Sequence, residues 1–258
     1  MTVGNAATAA APLMRRSQAS KCWRRWHNDK GRNIGMEWVQ LSVAMSLDGH
    51  IDAADGDRLV LSSAEDCHDM HGARAACDAI LVGAGTLRRD DPRLTVRYPE
   101  LLAQRRAAGM PDQPAKVVLT RSCDIDPDAG FFHNGGRKLV LCPPEKLAAL
   151  RQRLGERAEV VGLADETVSA ILAALRACGI RRLFVEGGSQ VLTQFLAAGA
   201  FHQLRLAIAP FLLGQPTAPR LAGPADFLHG PDRRLRLLAT RNLGNVAVLD
   251  LLNETPML

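Results

Sequence analysis

Short apolar runs recur along this chain, separated by stretches that are apolar on one face only. Trp38–Ala44 alternates with period two, which predicts a strand. Ala79–Val82, Lys116–Thr120, Lys138–Cys142, Glu159–Val161 and Arg182–Val185 predict further strands, apolar enough to be covered on both faces. Helical patterns lie between them. Ser62 and Glu65 make a capping box that opens a helix running to about Ala76. Pro99–Ala108 predicts a helix closed by Gly109 and the proline-rich connector Met110–Pro114. Pro144 opens a helix with Leu147, Leu150 and Leu154 on one face, and Gly155 stops it. Asp165 caps a helix whose stripe is Val168, Ile171, Leu172 and Leu175, ending at Gly179. Ser189 caps the next, which Gly199 ends. After Phe201 the rhythm changes. Leu204–Ala209, Arg234–Thr240 and Val246–Leu252 predict three strands with no helix between them. The pattern predicts one α/β domain, a mixed sheet flanked by helices with antiparallel strands at its C-terminal end.

Composition narrows the partners. At 258 residues and 47% hydrophobic, the chain can bury a full core. Aromatics at 4% argue against a stacking platform for single-stranded nucleic acid. The net charge of +5 is not spread evenly. Residues 1–35 carry seven lysines and arginines against one acid, Asp29, so the body that follows is near neutral. This basic segment is expected to be an unstructured extension, or to precede the true start, since Met36 stands directly before the first strand. The domain is expected to span 36–258. The extension has no apolar core of signal-peptide length, and no run reaches the length of a membrane span. The six cysteines include no C-x-x-C pair, as expected of reduced thiols in a cytoplasmic protein.

Candidate chemistry gathers at strand ends. Ala79–Arg97 passes from a strand through Gly83, Gly85 and Thr86 to Asp90 and Asp91, then to Arg97. Glycines let the backbone approach a ligand, and arginines suit phosphate. The Rossmann fingerprint is not met, because Arg88 stands where its third glycine belongs. Asp90-Asp91-Pro92 also reads as turn chemistry. Val185–Ser189, V-E-G-G-S, places amides at a helix start and suits phosphate; a plain tight turn explains it equally well. Two such glycine segments point to a ligand with several phosphates, or to a dinucleotide. Thr120-Arg121-Ser122 ends a strand, where Arg121 either takes a phosphate monoester such as that of NADP or is simply solvated. His68 and His71 sit three apart on a predicted helix, but no third ligand fits, so no metal site is expected. There is no G-x-S-x-G elbow, no P-loop and no zinc-deaminase pattern.

A-M-S-L-D-G at Ala44–Gly49, the Arg74 segment, I-L-V-G-A-G-T…D-D-P-R-L-T-V-R, V-E-G-G and L-R-L-A-I-A-P-F-L-L-G at Leu204–Gly214 occur in that order. Together, from about Glu37 to the C-terminus, they resemble the reductase domain of the bifunctional riboflavin biosynthesis deaminase/reductase, a relative of dihydrofolate reductase. The resemblance implies a dihydrofolate-reductase-like fold, commonly a homodimer. It implies NADPH-dependent reduction of a ribosylamino-pyrimidine 5′-phosphate to the ribitylamino form. By the resemblance, Ala44, Thr86, Asp90, Gly187, Gly188, Ser189 and Gln190 hold NADP, and Arg121 falls where many members have a serine near its adenosine end; Gly83 and Gly85, and Thr120 and Ser122 beside Arg121, are cofactor candidates from the residues themselves. Arg74, Leu94, Arg97 and Glu186 hold the phosphorylated sugar, and Glu186 and Asp90 are the catalytic candidates. Two places depart from the family. Ser42 replaces a lysine found in many members, and Arg58-Leu59-Val60 replaces S-x-W, with Arg58 as a possible extra phosphate contact. Lacking the deaminase pattern, the chain is expected to be a stand-alone reductase. The departures leave two alternatives: a reductase of a related pterin or dihydrofolate-like ring, or a non-catalytic NADP-binding relative.

Overall fold

Trp38–Ser46 forms β1, the strand from which the rest of the sheet is ordered. The computed structural model describes residues 36–54 and 59–258. The expected extension over residues 1–35 and the candidate Arg58 lie outside the described residues. In chain order the elements are α1 (Ala64–Ala75), β2 (Ala79–Gly83), α2 (Ala84–Asp90), α3 (Pro99–Ala107), β3 (Ala115–Leu119), α4 (Gly130–His133), β4 (Lys138–Cys142) and α5 (Leu147–Leu154). Then follow β5 (Glu159–Gly162), α6 (Val168–Ala177), β6 (Arg182–Gly187), α7 (Ser189–Ala197), β7 (Gln203–Ala209), β8 (Arg236–Leu243) and β9 (Val246–Leu252).

The strands form one sheet in the order β5-β4-β3-β2-β6-β1-β7-β9-β8. All pairings from β5 to β7 are parallel, and the C-terminal pairs β7·β9 and β9·β8 are antiparallel. This is the mixed α/β sheet that the apolar rhythm predicted. Strand alternation divides the core by face. Leu41, Leu81, Val117, Leu139, Leu183 and Val185 meet Ile171, Leu172 and Leu175 of α6 and Leu192 and Phe195 of α7. On the opposite face Ile80, Val82, Val118, Val140 and Phe184 meet Leu87, Phe131, Leu150 and Leu154. No helix among the described residues is long and apolar enough to cross a membrane.

Several boundaries differ from expectation. Ser63, not Ser62, caps α1, its Oγ accepting the amide of Asp66 at 3.0 Å. Thr167, not Asp165, caps α6. Asp165 instead accepts the Thr167 amide at 2.8 Å. Ser189 is the first residue of α7, with Gly188 at its cap. β8 begins at Arg236 rather than Arg234. The segment after Gly83 is the start of α2 rather than an open loop.

One polar system lies where apolar side chains would be expected. Arg205 of β7 is buried and pairs with Asp66 at 2.5 Å and Asp69 at 2.8 Å, both on α1. Arg241 of β8 pairs with Asp69 at 2.6 Å and with Asp250 of β9 at 2.9 Å. This chain of charges ties α1 to the antiparallel end of the sheet.

Candidate active site

The carboxyl ends of β3, β2, β6 and β1 lie side by side, and each carries one of the segments singled out for a cofactor. Ligands of open α/β sheets sit at such ends. At the end of β2, a Cβ on Gly83 would stand 3.0 Å from Cγ2 of Val191, so the missing side chain lets α7 close in. At the end of β6, Gly187 has φ +101° and would bring a Cβ within 3.0 Å of Leu192. The Gly188 amide donates to Oγ1 of Thr86 at 2.9 Å. The two glycine segments are therefore one cradle, closed by a threonine and a glycine 102 residues apart. A Cβ at Gly85 would meet nothing within 4 Å, so packing does not require that glycine. Ala44 is half-buried near the end of β1, and Ser189 and Gln190 open α7.

Beside the cradle stands a charged cluster. Arg74 of α1 donates from Nε and Nη2 to the two carboxylate oxygens of Glu186, at 2.5 and 2.7 Å, and from Nη1 to the Thr95 carbonyl at 3.0 Å. The sheet itself aims Glu186. Leu81 pairs with Val185 but Val82 pairs with Gly187, so β6 carries one extra residue, Glu186, against β2. Bulges re-aim a side chain in this way.

After α2 the chain runs extended, and alternation sorts its residues. Leu94 and Val96 are buried, while Arg93 and Arg97 are exposed. Gln113 clamps this segment, accepting the Val96 amide at 2.8 Å and donating to its carbonyl at 2.9 Å. Leu94 is only 2% exposed and has φ +45°, so its side chain belongs to the core and only its backbone can face a ligand. The expected aspartate pair divides. Asp90 ends α2 half-buried, whereas the Asp91 carboxylate accepts the amides of Gly130 and Phe131 at 2.9 and 3.3 Å and anchors α4.

Beyond β3, the Thr120 hydroxyl accepts the Cys123 amide at 3.0 Å and that of Ser122 accepts the Asp124 amide at 3.3 Å. Both hydroxyls shape the turn. Arg121 projects instead, 2.8 Å from Glu166, on a cavity of about 340 Å³ lined also by Glu145, Asp165 and Gln194. The buried Oε1 of Gln194 has no partner among the described residues. Glu166 and Gln194 escaped the sequence reading. Gln194 had one available signal, its position a helical turn after Gln190.

Two further motifs meet at the mouth. Ser46 donates to Asp48 at 2.5 Å, and the amides of Leu213 and Gly214 donate to the same carboxylate at 3.1 and 2.7 Å. The Ser46 bond first, then these amides, hold the Asp48 carboxyl well below the ordinary range. The turn after β1 is thereby fixed to the turn after β7. Ser42 is buried on β1 in register with Arg205, and Val60 is 79% exposed. His68 and His71 serve separate partners: His68 meets Glu100 at 2.9 Å, and His71 accepts from Arg97 at 3.2 Å.

Fold and site thus define an α/β protein that gathers glycines, a threonine and arginines at the carboxyl ends of adjacent parallel strands. The chain belongs to the family described as the RibD C-terminal domain, which matches residues 37–249. It is 34% identical to the 2,5-diamino-6-ribosylamino-4(3H)-pyrimidinone 5′-phosphate reductase of Archaeoglobus fulgidus, over 74% of this chain and 88% of that one. It is 33% identical to the protein of the same name from Methanothermobacter thermautotrophicus, over 83% and 96%. It is 35% identical to the riboflavin biosynthesis protein RibD of Mycobacterium tuberculosis over 81% of this chain, but spans only 56% of that protein. Among solved structures, RibD of Acinetobacter baumannii superposes with a TM-score of 0.68 at 27% identity, covering 84% of this chain and 58% of that one. These named relatives are oxidoreductases, and their reductase chemistry implies a nicotinamide cofactor. The dihydrofolate-reductase-like fold expected from the motifs is the one found.

Proposed function

We propose that this chain reduces a ribosylamino-pyrimidine 5′-phosphate to its ribitylamino form, using NADPH, as a reductase of riboflavin biosynthesis. One observation carries the reading. Glu186 and Gly187 are consecutive, the glutamate engaging Arg74 while the glycines after it close against Thr86. A sugar-binding charge cluster and a dinucleotide cradle therefore share one strand end. The cofactor supplies the hydride when bound. The protein orients: Gly83, Gly187 and Gly188 permit close backbone approach, and Thr86 braces the cradle. Arg97 meets the substrate phosphate. Glu186 holds Arg74 in place, and Asp90 lies at the boundary of the two sites.

The cavity beside Arg121 suits the adenosine end. Its Gln194 oxygen, unpartnered among the described residues, can accept from an adenine amino group. The 2′-phosphate of NADPH, rather than the bare ribose of NADH, would take Arg121 in exchange for Glu166. We further propose a homodimer. Leu237, exposed on β8, stands beside Leu251 and Leu249 of β9, which are half-buried against the core, so the antiparallel end carries an apolar edge suited to a second copy. The reductase domain is taken to begin near residue 36, and the protein to act in the cytoplasm.

The test is NADPH oxidation by purified protein offered the deaminated and the non-deaminated ribosylamino-pyrimidine phosphates, with dihydrofolate alongside. Oxidation with one of the pyrimidine phosphates is expected. Turnover of dihydrofolate alone, or none with any of them, would overturn the proposal.

A further inference from the structure

The Arg97 side chain is exposed, yet one of its nitrogens is committed inward. Its Nε donates to Nε2 of His71 at 3.2 Å. His71 is fully buried on α1, with its ring edge-on to Tyr98 at 5.2 Å between centroids. Burial first, then the charges of Arg74, Arg97 and His68, lower the imidazole to about 4, so the ring is neutral near pH 7. Arginine has only donors and neutral imidazole has a single acceptor nitrogen. The contact therefore fixes the tautomer: Nε2 accepts and Nδ1 carries the hydrogen. Nδ1 is buried and finds no partner among the described residues, so within them the ring is set by its hydrogen bond to Arg97. Neither Nη group of Arg97 has a hydrogen bond to a described residue, whereas all three donor nitrogens of nearby Arg74 are engaged.

We propose that His71 is a positioning residue for substrate binding. As a buried, uncharged acceptor it takes the Nε of Arg97 and so turns both Nη groups outward, as a two-pronged fork for the oxygens of a phosphate monoester. The inference rests on the reading of Arg97 as the phosphate ligand. A protonated histidine here could not accept. It would also add a cation beside Arg74 and Arg97, close to His68; among the described residues Glu186 pairs with Arg74 and Glu100 with His68.

The experiment compares His71→Met, His71→Gln, Arg97→Ala and the His71→Met/Arg97→Ala double variant by steady-state kinetics with both substrates. Methionine keeps the bulk and leaves only a weakly accepting sulfur; glutamine offers an amide oxygen near the place of Nε2. His71→Met should raise the KM for the pyrimidine phosphate about tenfold, with kcat and the NADPH KM within about twofold. His71→Gln should recover most of that loss, and the double variant should be no worse than Arg97→Ala alone. If Arg97→Ala raises the substrate KM while His71→Met does not, the positioning role falls and the phosphate reading stands. If Arg97→Ala changes nothing, both fall. A penalty that adds on top of Arg97→Ala also overturns the role. Should the methionine variant fail to fold, ring-nitrogen NMR of the intact wild-type protein at pH 7 decides. An unprotonated Nε2 supports the assignment, and a protonated Nε2 overturns it.

Discussion

Arg74 and Glu186 meet in a two-pronged ion pair across 112 residues of chain, with only 11% and 17% of their side chains exposed. The third prong of Arg74 reaches the Thr95 carbonyl, so this arginine fastens the segment carrying Arg97 to the end of β6. Lysine has the charge but not the fork. Arg74→Lys should therefore lower kcat/KM for the phosphorylated substrate by at least about tenfold and reduce stability by about 1–3 kcal/mol. Kinetics and urea unfolding of the same preparation check both.

The bond from the Gly188 amide to Thr86 leaves little room for a side chain. A methyl group at 188 would lie 3.0 Å from the Thr86 oxygen. Gly188→Ala is expected to raise the KM for the dinucleotide about tenfold or more while leaving that for the pyrimidine phosphate nearly unchanged. Equal rises in both would mean that the cradle does not belong to the cofactor.

Stability should depend on pH through two histidines. Burial lowers both His71 and His202 to about 4 from an ordinary 6.5. Between those values the unfolded chain takes up protons that the folded chain refuses. The stabilisation is complete above pH 6.5, declines as pH falls through this window and levels off below 4. Each contributes at most on the order of 3 kcal/mol. Asp69, also held low, adds a loss of the same sign at more acidic pH. Urea midpoints measured from pH 7 to pH 4 should fall steadily. A flat profile would show that these rings are not held neutral by the fold.

Arg205→Leu removes the cation shared by Asp66 and Asp69, leaving the buried Asp66 without its arginine and Asp69 with Arg241 alone. Breaking a buried pair in this way costs about 3–5 kcal/mol. Arg137→Ala, which breaks an exposed pair with Glu159, should cost no more than about 1 kcal/mol. The contrast between the two unfolding curves is the measurement.

What the sequence made legible follows from how local the signal is. The parallel strands appear as apolar runs because both of their faces are covered, and α6 is visible as the stripe Val168, Ile171, Leu172 and Leu175. Caps slipped by one or two residues where serines, threonines and aspartates crowd together, since each offers an oxygen to the same amides, as Asp165 and Thr167 do. The four-residue α4 was missed because its anchors, the Asp91 carboxylate and the buried Lys116 ammonium on the Phe131 carbonyl, are distant in sequence. The glycines and arginines of the site were recognisable as residue types. Their assembly into one cradle was not, and neither was the use of His71 beneath Arg97. The first depends on β2 lying beside β6 and the second on how α1 packs against the segment before α3, and alternation encodes neither.

The single extra residue in β6 marks a boundary. Up to Val185 the facing strands β2 and β6 keep step, and their side chains interlock with the layers above and below. Past that point the step is broken, and the next side chain is released from the core to face Arg74. A change on one side of the boundary is tolerated or rejected on packing, and on the other side on chemistry. Lengthening or shortening β6 by one residue would shift this frontier without removing a strand, and would be expected to leave a folded protein whose cradle and charge cluster no longer meet.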